Sequence, residues 1–136
     1  RKPVVSENVS DIAVIREVRE KMVDLQRKFS ESKNVILDGR DIGTVVFPNA
    51  NVKIFLVADA KERANRRYKE LLKKGENVKI EEIYENILKR DEIDSTRKES
   101  PLKKAEDAIE VDTTSKNIEE VKNEILNIYS KYFICV

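Results

Sequence analysis

The chain has 136 residues, the length of one compact domain, and is 40% hydrophobic and 39% charged; 27 basic against 26 acidic side chains leave a net charge of +1. That balance excludes a uniformly basic or acidic chain and leaves only local charge to mark a site. One cysteine, Cys135, and no histidine exclude a disulfide scaffold, zinc sites of the usual spacing and any imidazole base.

No apolar run approaches the roughly 18 residues that a membrane span requires. No leader peptide is recognisable, so a soluble cytoplasmic protein with no membrane partner is expected. The chain begins at Arg1 rather than at methionine, which leads to the expectation of a piece of something longer.

Ile12, Ile15, Val18, Met22, Leu25 and Phe29 recur at three- and four-residue steps, the stripe of an amphipathic helix, with Ser10 where an N-cap would sit. Asn34–Asp38 reads as a short buried strand and Val52–Val57 as a second, with a loop or short helical turn between them. Asp59 with Glu62 predicts a capping box at the start of the next helix, and Gly75 its stop. A further stripe runs through Ile80, Ile83, Tyr84, Ile87 and Leu88, and Ser95–Lys104 reads as a loop around Pro101. Ala108–Asp112 is a third predicted strand. The last helix places Ile118, Val121, Ile125, Ile128, Tyr129 and Tyr132 on one face, capped by Asn117 and Glu120. Strands separated by helices predict an α/β layer with parallel strands.

Charge gathers in three places. Lys61–Lys74 holds seven basic residues against two glutamates, either a solvated helix face or one presenting several cations to an anion. With near-zero net charge and no interleaved aromatics, a small polyphosphate suits it better than nucleic acid. Arg90, Asp94 and Arg97, spaced i, i+4, i+7, are either an exposed ion-pair ladder or guanidinium groups shaped for phosphate oxygens. Asp38-Gly39-Arg40-Asp41 follows the first predicted strand, where ligands of open α/β sheets bind. There Gly39 serves either a site or only a turn, with Arg40 and Asp41 paired to each other. Ser10 and Arg19 carry no signal by spacing.

Taken together, these segments resemble bacterial cytidylate kinases over nearly the whole chain. The most specific match is Asp38-Gly-Arg-Asp-Ile-Gly-Thr-Val-Val-Phe-Pro48. Val9-Ser10, Val18-Arg19-Glu20 and Gln26-Arg27 precede it. Ala64-Asn-Arg-Arg-Tyr-Lys-Glu-Leu71, Arg90-Asp91 through Asp94 to Arg97, Pro101-Leu102 and Ala105–Ala108 follow in order. The resemblance implies a phosphate-loop nucleoside monophosphate kinase-like fold, a parallel sheet with flanking helices. It implies transfer of the ATP γ-phosphoryl group to CMP or dCMP, with Mg2+ accompanying ATP. Ser10, Arg19 and Asp41 would recognise cytosine, with Arg40 and Arg97 also at the acceptor nucleotide. Arg90 and Asp94 would hold its ribose and phosphate end. Arg66 and Arg67 would belong to a lid over the ATP phosphates and, with Arg90, act in catalysis; no residue is assigned to a metal. Phosphoryl transfer depends on positioning and on cations, so the lack of histidine is no obstacle.

Three glycines, none before Lys-Ser or Lys-Thr, leave no Gly-x-x-x-x-Gly-Lys-Ser/Thr phosphate loop in these residues. By the resemblance, the chain is one incomplete kinase domain over 1–136. Its parts would be the end of the monophosphate-binding region and a helix (1–33), core strands (34–60), lid-like helices (61–100), and a core strand with the C-terminal helix (101–136). The central phosphate-loop strand would be lacking, so the sheet is expected to be completed by the missing N-terminal segment or by self-association. Alone, the chain is expected to be weakly stable and inactive. The alternative is a non-catalytic nucleotide-binding or assembly module without the ATP site.

Overall fold

The computed structural model describes residues 12–133. In chain order the elements are helix α1 (Arg16–Ser30), a π-helix (Ile42–Val46), strand β1 (Ile54–Val57), helices α2 (Ala60–Lys73) and α3 (Ile80–Thr96), strand β2 (Ile109–Asp112) and helix α4 (Ile118–Phe133). They fall into two compact units: residues up to Ala50 with Arg90–Ala105, and Asn51–Lys89 with the residues from Glu106 onward. No helix among the described residues is long and apolar enough to cross a membrane.

The second unit is built around β1 and β2, which pair in parallel with Ile54 opposite Ile109 and Val57 opposite Asp112. Parallel neighbours cannot be joined by a hairpin, and the chain between them runs through α2 and α3. At the entry end Lys53 Nζ donates to both carboxylate oxygens of Asp107, at 2.8 and 2.7 Å, with the lysine side chain only 6% exposed. That hydrogen bond holds the Asp107 carboxyl below its ordinary range. At the exit end Thr113 donates to the Val57 carbonyl from both N–H and hydroxyl. A core of Ala64 and Leu71 from α2 and Ile83 from α3 is flanked by Tyr68, Val78, Ile80, Tyr84 and Ile87.

Local signals hold at two helix ends, the start of α4 and the end of α2. Asn117 and Glu120 form a reciprocal capping box: Asn117 N–H donates to Glu120 Oε2 at 2.7 Å and Glu120 N–H to Asn117 Oδ1 at 3.0 Å. The predicted box at α2 forms only in part. Asp59 Oδ1 accepts from Lys61 and Glu62, but Asp59 N–H donates to Thr114 Oγ1 and Glu62 pairs with Arg66. Gly75 ends α2 at φ 77, where Glu76 N–H reaches Leu71 O and Gly75 N–H reaches Leu72 O. A Cβ there meets nothing within 4 Å. Gly75→Ala is therefore expected to cost about 1 kcal/mol, from the positive φ alone. Denaturant unfolding checks this; an unchanged midpoint would contradict it.

Three expectations are corrected. Asn34–Asp38 is not a strand: it joins neither helix nor ladder, with Val35 and Leu37 exposed and Ile36 102% exposed. The only sheet among the described residues is β1–β2, and an apolar run becomes a strand only where a neighbour satisfies its backbone. Second, α3 continues to Thr96, so the loop begins at Arg97 rather than Ser95. Third, the apolar stripe of α1 is largely outward: Ile15, Met22, Leu25 and Phe29 are exposed, while Val23 is buried and Arg19, Gln26 and Ser30 half-buried. α1 meets Asp41 and the π-helix through polar contacts of Arg19 and Arg27. The predicted Ser10 cap lies outside the described residues, and the helix begins at Arg16.

Candidate functional site

The first unit gathers Arg19, Arg40, Asp41, Arg90, Asp94 and Arg97. Its centre is Asp94, 3% exposed. Arg40 Nε donates to Asp94 Oδ2 at 3.0 Å across 54 residues of sequence. Arg90 Nε stands 3.7 Å from the same oxygen, and Arg97 Nη1 stands 3.6 Å from Oδ1. The helix explains the local half: Arg90 is one turn before Asp94, and Arg97 N–H still bonds Ile93 O at 3.1 Å, continuing the helical pattern past Thr96.

Arg19 and Asp41 form a second pair, Nη2 donating to Oδ2, with both side chains largely buried. The π-helix sets Asp41 at its start: the Asp41 carbonyl accepts from Thr44, Val45 and Val46 N–H, and Ile42 O from Phe47 N–H. Such i→i+5 turns recur at functional sites because they re-aim one residue. Arg27 clamps the other end, Nε donating to Val46 O at 3.0 Å and Nη2 to Val45 O at 2.8 Å. The fork of one arginine thereby fixes the π-helix that carries Asp41 to the helix that carries Arg19.

Arg40 and Asp41 are thus not partners of each other: each takes its ion pair from a different element. Burial lowers the Arg97 guanidinium below its ordinary value; Asp94 and Asp41 oppose this, and Arg19 and Arg40 add to it, so all four act on Arg97 through their charge. Four arginines against two aspartates leave a surplus of two positive charges among these residues. Arg19 Nε is also buried with no hydrogen-bond partner among the described residues. A buried donor without an acceptor needs an explanation, and a ligand acceptor supplies one. The arrangement therefore suits a small dianion presented with further acceptors.

In the second unit Arg66 is drawn into the structure of the loop after β2. Its Nη2 donates to Thr113 O at 2.5 Å and Lys116 O at 3.4 Å, its Nη1 to Thr113 Oγ1 at 3.2 Å, and its Nε to Glu62 at 2.9 Å. Arg63 Nε donates to Ala58 O, and Arg67 to the exposed Glu70 at 2.8 Å. Hydrogen bonds from Lys74, then Arg67, hold the Glu70 carboxyl at about 2, down from the ordinary 4.5. A folded-state value below the unfolded one contributes stability above pH 4.5 that is lost as pH falls towards 2. Because Glu70 is exposed, the effect on stability is small. The check is direct: the Glu70 carboxyl carbon should titrate near 2 in the folded protein, and a midpoint near 4.5 would contradict the two contacts.

Among the described residues no group of three or more His, Cys, Asp or Glu gathers that could hold a metal ion. The two buried carboxylates of the site, Asp41 and Asp94, are both engaged by arginine. These residues do not form a Mg2+ site. Ser10 lies outside the described residues. Sequence spacing missed Arg27, whose clamp joins segments 18 and 19 residues apart, and the link from Arg40 to Asp94; neither pairing has a local signal.

Residues 1–131 match the sequence profile of the cytidylate kinases. The chain is 62% identical over 123 residues to the cytidylate kinase of Fusobacterium nucleatum, covering 90% of this chain and 56% of that protein. It is 58% identical over 123 residues to that of Clostridioides difficile, covering 90% and 57%. To that of Carboxydothermus hydrogenoformans it is 56% identical over 131 residues, covering 96% and 59%. The chain thus spans little more than half the length of these curated relatives. Over the residues it does contain, it belongs to the cytidylate kinase family.

Proposed function

We propose that the protein containing this chain transfers the γ-phosphoryl group of ATP to CMP or dCMP, and that the first unit binds the acceptor nucleotide. The observation that carries this is the arginine cluster around buried Asp94, in a chain of this family. Its surplus of two positive charges complements a phosphate monoester, which carries about −1.5 to −2 at pH 7. In the reaction an acceptor phosphate oxygen bonds to the γ-phosphorus as its bond to the β–γ bridging oxygen breaks, releasing ADP and the nucleoside diphosphate.

Arg90 and Arg97 would take acceptor phosphate oxygens, since planar forks bind them in two-pronged fashion. Arg40 would complete that cationic wall. Asp94 keeps the guanidinium groups convergent and can accept from a ribose hydroxyl. Arg19 and Asp41, with Ser10, would meet the base, and the unsatisfied Arg19 Nε offers it a donor. In the second unit Arg66 and Arg67 would neutralise donor phosphates. Arg67 can leave exposed Glu70 at small cost, whereas Arg66 must first release two backbone carbonyls. Magnesium enters only as the ion accompanying ATP.

The test is a coupled assay of the full-length protein with ATP and CMP, dCMP, UMP or AMP as acceptor. Turnover should be highest with CMP and dCMP. Arg97→Ala should raise KM for CMP far more than KM for ATP. Equal use of AMP, or unchanged KM for CMP in the variant, would sink the assignment. CMP binding without any phosphoryl transfer would point instead to a non-catalytic nucleotide-binding module.

A further inference from the structure

The segment Arg97–Leu102 forms a turn tied back onto the site at both ends. Arg97 Nε donates to Ser100 O at 2.7 Å, and Leu102 N–H donates to Asp94 O at 2.6 Å. The first bond secures the guanidinium of the Arg97–Asp94 pair, and the second secures the backbone of the carboxylate bearer. Between them Ser100 stands at φ 52, in the left-handed region that a residue with a Cβ enters only when its surroundings compel it. Neither bond uses the Ser100 side chain. What the turn requires there is a carbonyl held at an angle that most residues avoid.

The Arg97 side chain is 4% exposed, and burial lowers its guanidinium from the ordinary value, so its orientation is costly to change once set. An arginine held by Asp94 alone, at 3.6 Å, could still swing its fork about that contact. A second acceptor on Nε removes that freedom. We infer that the turn is a positioning element of the acceptor site, in which the Ser100 carbonyl fixes the Arg97 fork against Asp94. This rests on the acceptor-site reading above. Ser100 itself touches no ligand and acts through Arg97.

The geometry separates the effects of two substitutions. Ser100→Val places a β-branched residue at positive φ and drives the carbonyl off Arg97. Ser100→Gly keeps the carbonyl and removes the conformational cost. Both are read in the full-length protein by CMP calorimetry and by hydrogen exchange of the Arg97 Nε–H resonance. The expected result for Ser100→Val is faster Nε–H exchange and about tenfold weaker CMP binding, with KM for ATP unchanged. Ser100→Gly should retain slow exchange and CMP affinity. A purely structural turn would lower thermal stability in Ser100→Val without moving CMP affinity, and that result overturns the inference. Unchanged Nε–H exchange in Ser100→Val overturns it as well. If the unsubstituted protein binds no CMP while the Nε–H responds as expected, the acceptor reading fails and the positioning of Arg97 by Ser100 stands.

Discussion

Asp94→Ala is expected to cost about 3 kcal/mol of folding stability and to weaken CMP binding about 30-fold. Two effects oppose each other in that variant. Removing a negative charge raises the local cationic surplus and favours a phosphate. In a partly solvated site that gain is on the order of 1 kcal/mol, because neighbouring charges interact through a high effective dielectric. Against it stands the loss of the group on which Arg40, Arg90 and Arg97 converge. Arg97 is then buried without that counter-charge, and removing one partner of a buried pair costs more than the pair itself contributes. The geometric loss wins. Denaturant unfolding and CMP calorimetry measure the two parts separately. A variant that binds CMP more tightly would show that charge, not arrangement, governs the site.

Arg66→Ala is expected to cost about 2 kcal/mol of stability, whereas Arg67→Ala should stay within about 0.5 kcal/mol. Both residues sit on α2 one position apart, and the family resemblance implies the same role for them. The structure separates them. Arg66 donates to Thr113 O, Thr113 Oγ1 and Lys116 O, and so ties the exit end of β2 to α2. Its loss leaves the Thr113 carbonyl without a charged donor, next to one of the few buried polar side chains. Among the described residues Arg67 pairs with Glu70, and exposed pairs of that kind contribute little. Equal unfolding midpoints for the two variants would contradict this division.

Helix ends were legible in the sequence because they are local events. The Asn117–Glu120 box and the Gly75 stop each need only residues within one turn, and both form. Of the stripe predicted on α4, Val121, Ile125 and Ile128 are half-buried, whereas Ile118, Tyr129 and Tyr132 are exposed. Strand identity is not local. Asn34–Asp38 has the composition of a strand, but among the described residues its backbone finds no ladder. The placement of Asp38–Asp41 at a strand's carboxyl end fails with it. Arg40 and Asp41 reach the site by other means, through Asp94 and Arg19.

The same distinction governs the site. Arg90, Asp94 and Arg97 could be grouped by helical spacing, and they do meet. Arg19 offered no signal from spacing, since its partner lies 22 residues away at the start of a π-helix that no simple period anticipates. Family resemblance, not periodicity, supplied it. The exposed apolar stripe on α1 has the complementary cause: a period locates a face but not which face turns inward. Here Arg19 and Arg27 make polar contacts with Asp41 and with the π-helix carbonyls, while most of the apolar stripe is exposed.

The most direct measurement is calorimetric titration of the 136-residue chain with CMP, with cytidine as the phosphate-free comparison. If the arginines around Asp94 receive the acceptor phosphate, CMP should bind and cytidine should bind at least about 30-fold more weakly, with CMP affinity falling as salt rises. A folded chain that binds CMP and cytidine alike, or binds neither, would contradict it.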